Sequence, residues 1–109
     1  MESLKQYLIQ QADACKSRAD ALTADDRRDD AIFEKIRGNV YDIFLSVANA
    51  AEKAADPMAF FRARLADIPA NWEVAREKAT LHGDENRAHT ESVKLEAVQA
   101  IRARLEVEA

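Results

Sequence analysis

Large apolar side chains recur every three or four residues along most of the chain, the spacing of amphipathic helices and not the alternation of strands. Four interruptions, at Thr23, Asp56-Pro57, Ile68-Pro69 and Gly83-Asp84, divide the chain into five helical stretches. The first runs from about Ser3 to Leu22. Met1, Leu4, Leu8, Cys15 and Leu22 form a heptad-like seam in it, widened by Ala12 and Ala19. Gln11 and Arg18 break that seam, so the stretch reads as a packed amphipathic helix and not as an extended coiled coil.

The second stretch opens after Thr23. With Asp26 three residues on, Thr23 resembles a capping box that carries Asp in place of the usual Glu or Gln, and the acids that follow suit a helix N-terminus. The pattern then holds for about 30 residues, to Ala55. Ile32, Phe33, Ile36, Val40, Ile43, Phe44, Val47, Ala51 and Ala54 lie on one side. Tyr41, Leu45 and Ala48 extend the apolar arc to roughly half the circumference, against the usual stripe of about 100°. A single neighbour cannot cover such an arc. This long helix, about residues 24–55, is therefore expected at the centre of the fold, with Tyr41, Phe44, Leu45 and Ala48 as candidate interface residues facing another subunit. Gly38-Asn39 in its middle costs about 1 kcal/mol relative to alanine and reads as a close helix approach or a slight bend.

Asp56-Pro57 pairs a capping aspartate with proline at the first helical position. A short helix to about Asp67 should bury Met58, Phe61 and Leu65. Pro69 disfavours helix at Ile68, so the chain should break there. From Pro69 to about His82, Trp72, Ala75 and Ala79 share a face, and from Asp84 to about Val107 the apolar positions are Val93, Leu95, Ala97, Val98, Ile101 and Leu105. Gly83 followed by Asp84 can end one helix and cap the next. The alternative is one kinked helix from about Pro69 to Val107. Residues 82–92 hold no apolar side chain larger than Ala88, so that segment is expected either to face solvent or to line something polar.

Composition narrows the class. Of the 109 residues 22 are alanine, Gly and Pro number 2 each, and 30 larger apolar side chains remain to build a core. So few chain breakers argue against an all-β domain, and the apolar content is too high for disorder. The expected fold is all-α, a small bundle of four to five helices forming a single domain over residues 1–109. No run approaches a membrane span. The opening MESLKQYLIQQ has no basic stretch followed by an apolar block, so a secretory leader is not expected. Cys15 alone cannot form an intramolecular disulfide, which with the absence of a targeting segment points to the cytoplasm. The formal net charge is −4 and the basic pairs are either bracketed by acids, as Arg27-Arg28 is, or splayed on a helix, so nucleic acid is not an expected partner.

Candidate chemistry is sparse. His82, Glu85, Asn86 and His89 would share one face if the helix ran unbroken through Gly83, and two imidazoles with a carboxylate, His82, Glu85 and His89, could hold a divalent transition metal. A break at Gly83 dissolves that face and leaves His82 as a last-turn residue at a helix C-terminus. The Glu-x-x-His pairs of di-iron bundles are missing, since Asn86 and Ala79 stand where the glutamates would be. Asp25/Asp29 and Asp26/Asp30 read as a solvated helix start interleaved with Arg27 and Arg28. Cys15 lies on an apolar seam, where a small buried thiol is the ordinary outcome. No serine sits in a nucleophile elbow, and two glycines cannot build a phosphate loop. Trp72, Phe60, Phe61, Tyr7 and Tyr41 stand at core spacing. The expected function is thus a non-catalytic helical bundle that acts by self-association, as a homodimer, or by binding another protein, with no cofactor. The alternative is a metal- or small-ligand-binding bundle that uses the His82/Glu85/His89 segment.

Overall fold

Five helices account for nearly all of the chain: α1 (Glu2–Ala24), α2 (Arg28–Ala51), α3 (Pro57–Asp67), α4 (Ala70–Leu81) and α5 (Glu85–Glu108). The computed structural model describes residues 1–108. The expected all-α bundle is the architecture found. Three of the four expected breaks fall where local backbone chemistry placed them. The Asp56 side chain accepts the Ala59 N–H at 3.1 Å, capping α3, and Pro57 occupies its first turn. Pro69 separates α3 from α4, and its carbonyl accepts the N–H groups of Trp72 and Glu73 at 3.0 Å each. Gly83, at φ 71°, ends α4. There the Asp84 N–H reaches back to the Ala79 carbonyl at 2.8 Å and the Gly83 N–H to that of Thr80 at 3.2 Å, a Schellman pair. Asp84 then caps α5 by accepting the Arg87 N–H at 3.0 Å. The chain is two helices here, not one kinked helix.

The break at Thr23 is displaced. Thr23 is not a cap: its hydroxyl donates to the Ala19 carbonyl at 2.9 Å, inside α1. The helix continues to Ala24 and closes on Asp26, which takes the left-handed conformation at φ 59°. The Arg27 N–H bonds to the Leu22 carbonyl at 2.8 Å and the Asp26 N–H to that of Thr23 at 3.0 Å, the same Schellman pair built without glycine. A helix C-terminus and not an N-terminus therefore uses these residues, and α2 begins at Arg28 with no side-chain cap. At its other end α2 stops at Ala51, short of the expected Ala55. The turn there has Lys53 and Ala54 N–H groups bonded to the Ala50 and Ala51 carbonyls.

As the apolar arc implied, α2 is central and packs against α1, α3 and α5, while α4 lies mainly against α5. The shared core includes Leu4, Leu8, Phe44, Phe61, Val98 and Ile101. At the α1–α2 contact a Cβ on Gly38 would stand 3.1 Å from the Cys15 Cβ. The glycine is thus a close-packing position. Ion pairs Lys5–Glu52 (2.7 Å) and Arg18–Glu34 (3.1 Å) border this contact, and Arg37–Glu96 (3.1 Å) joins α2 to α5. The overall dimensions, 44 × 34 × 21 Å, make a slab about two helix diameters thick. A helix in so thin a slab keeps part of its surface in solvent.

Candidate functional site

The polar segment at the α4–α5 junction does not assemble into a ligand set. His82 closes α4, with its ring Nδ1 donating to the Lys78 carbonyl at 2.7 Å. Gly83 then turns the chain, so Glu85 and His89 belong to a different helix from His82. Glu85 is exposed in the first turn of α5. The His89 ring packs edge-on against Phe33 of α2, with centroids 4.3 Å apart and an interplanar angle of 84°. The common face expected for His82, Glu85 and His89 thus dissolves at Gly83. No three His, Cys, Asp or Glu side chains stand together in a metal-binding group among the described residues.

The candidate interface residues are also placed differently from expectation. Tyr41, Phe44 and Ala48 are buried within the single chain, and Leu45 is half-buried against the core. Phe44 meets Phe61 edge-on at 6.0 Å and Tyr41 meets Tyr7 edge-on at 6.3 Å. The chain covers this face itself because three helices, and not one, lie against α2. The apolar residues that α2 leaves open are others. Ile32 is 52% exposed and Ile43 40%, with Ile36 and Val47 half-buried along the same line. They lie away from the Gly38 side that meets α1. No helix is long and apolar enough to cross a membrane among the described residues.

One buried charge was not legible as such. Glu91 of α5 is 1% exposed, and its Oε1 accepts from Arg87 Nε at 3.1 Å and from Lys94 Nζ at 3.3 Å. Its Oε2 is buried with no partner among the described residues. The Lys94 ammonium also sits 5.5 Å from the centre of the Trp72 ring, which ties this cluster to α4. The available signal was spacing: Glu91 precedes the buried Leu95 and Val98 by four and seven residues and so extends their stripe. The charged letter masked it.

The nearby groove between α4 and α5 is about 450 Å³ and open, with Asn71, Val74, Lys78, His82 and Arg87 among its walls. Its polar side chains come from Asn71, Lys78, His82, Asp84 and Arg87, and Asp84 is engaged there as the cap of α5. Cys15 is buried, accepts a contact from the Arg18 guanidinium at 3.3 Å and has its thiol pushed up by burial, the setting of an inert thiol. No protein-family model, curated protein or solved structure matches the chain.

Proposed function

We propose that this protein acts by association and not by catalysis, as a small helical module that pairs through the open side of α2. One observation carries the reading: the central helix of the fold presents Ile32 and Ile43 to solvent, in line with the half-buried Ile36 and Val47. Single exposed apolar residues are ordinary on any surface, whereas a line of them along one helix marks a docking face. The candidate metal-binding set fits the same view, since Gly83 separates His82 from Glu85 and His89, and Cys15 is buried. A symmetric homodimer is the commonest way to cover such a face.

Light scattering after size exclusion tests this directly. The wild-type protein is expected to shift from monomer to dimer with rising concentration, and its melting temperature to rise in parallel. Ile43→Asp should keep the helical circular dichroism and the low-concentration stability within about 0.5 kcal/mol, because the site is exposed, yet remain monomeric. A wild-type protein that stays monomeric, with a concentration-independent melting temperature, removes self-association.

A further inference from the structure

The open line on α2 has an internal symmetry that specifies its occupant. Ile32, Ile36, Asn39, Ile43, Ser46 and Ala50 follow one another at intervals of four, three, four, three and four residues, the spacing of a helix–helix seam. All six lie in α2, and each is exposed or half-buried. The four large apolar side chains near this seam, Ile32, Ile36, Ile43 and Val47, are placed symmetrically about the Asn39–Val40 midpoint. Reading the helix in either direction therefore gives nearly the same apolar pattern. A surface of that kind is complementary to itself when two copies run antiparallel about a two-fold axis.

Charge selects the same arrangement. Lys35 and Asp42 stand seven residues apart, so they occupy the same flank of the seam one heptad from each other. Both are exposed, and neither has a hydrogen-bond or ion-pair partner among the described residues. In an antiparallel pair each flank lies beside its own counterpart, which puts Lys35 next to Asp42 of the second copy and Asp42 next to its Lys35. A parallel pair sets this flank against the opposite one, where Val40 and Val47 stand, and leaves both charges without a counterpart. Resting on the association reading above, we infer that the partner is a second copy of this chain, docked antiparallel on α2 about a two-fold axis near Asn39. Ile36 and Ile43 of both copies fill the centre and Ile32 and Val47 the two ends. Asn39 lies beside its symmetry mate, where two amides can bond to each other and disfavour other registers.

Charge exchange tests the arrangement. Lys35→Asp alone, or Asp42→Lys alone, replaces two attractive pairs by two repulsive ones and should weaken dimerisation about tenfold. The double variant Lys35→Asp/Asp42→Lys should recover wild-type affinity. The two single variants, mixed, should form a heterodimer in preference to either homodimer. As an independent measurement, Ile32→Cys should not cross-link to itself on oxidation, because antiparallel docking sends the two copies of residue 32 to opposite ends. A dimer whose affinity ignores these exchanges, or in which Ile32→Cys forms the symmetric disulfide, overturns the antiparallel arrangement while leaving self-association intact. A wild-type chain that never dimerises overturns both.

Discussion

Two residues show how burial sets chemistry at the scale of single side chains. Cys15 and Tyr41 are both buried against the α1–α2 contact, and desolvation of their charged forms raises each acid above its ordinary value of 9.0 or 10.0. At neutral pH both are protonated in the folded and unfolded chain alike and add no pH dependence. As pH rises past these ordinary values the unfolded chain ionises first, so stability falls, by at most about 1.4 kcal/mol per pH unit for each group. The loss levels off only once the folded groups ionise. Urea midpoints measured between neutral and strongly alkaline pH should show this decline, and Tyr41→Phe should remove the tyrosine's share of it. Glu91 is buried as well, with one carboxyl oxygen bonded twice and the other without a partner among the described residues. Removing a charge from water costs more than imperfect pairing returns. The Arg87 side chain, already 60% exposed, can return to solvent when the acid is gone. Lys94, only 26% exposed, would be stranded by Glu91→Met alone, whereas the double variant Glu91→Met/Lys94→Met removes both partners and is expected to be neutral or to stabilise by about 1–4 kcal/mol in denaturant titration. A loss above about 2 kcal/mol would show that the Glu91–Lys94 pair is net stabilising.

Among the elements, the ends of helices divide into those with local signatures and those without. Asp56-Pro57, Ile68-Pro69 and Gly83-Asp84 act through a side-chain acceptor, a missing N–H and a missing Cβ. The first two are readable from the residue pair, while Gly83 also allowed a kinked helix until the fold showed its left-handed turn. The α1–α2 turn uses the backbone geometry of the Gly83 turn but places Asp26 in the left-handed position. An aspartate there looks like a cap residue in the sequence, and only the fold shows that it terminates the preceding helix. Because a Cβ is unfavourable in that conformation, Asp26→Gly should raise stability by about 0.5–1 kcal/mol. Thermal melts at fixed low concentration would register the gain, and a lower melting temperature would mean that the Asp26 side chain contributes more than its strain costs. Gly38 shows the second lesson at this scale. A glycine inside a helix signals either a bend or a contact, and the 3.1 Å approach to the Cys15 Cβ identifies it as a contact.

For the whole molecule, the question is which apolar surface the chain covers by itself. Periodicity showed that α2 carries more apolar surface than one neighbour can hide, and the fold confirms its central position. Periodicity could not say which part of the arc stays open, since that depends on where α1, α3 and α5 come to rest around it. The expected outward set, Tyr41, Phe44, Leu45 and Ala48, is taken up by the chain's own core. The line through Ile32 and Ile43, which the sequence placed in the same arc, is left in solvent. Ile43→Asp is therefore the informative substitution for association. A charge at Phe44, fully buried, would strike the core instead.

The sequence alone determined the all-α class, the breaks at Asp56-Pro57 and Ile68-Pro69 and the centrality of α2, because each follows from side-chain periodicity or from backbone chemistry a few residues long. At Gly83 it left a break and a kinked helix both open. Tertiary structure decided the rest. It separated His82 from Glu85 and His89 across Gly83, buried Glu91 beside Arg87 and Lys94, and moved the open face of α2 to Ile32 and Ile43. These outcomes depend on which helices pack together, a sum over contacts distant in sequence that no local pattern records.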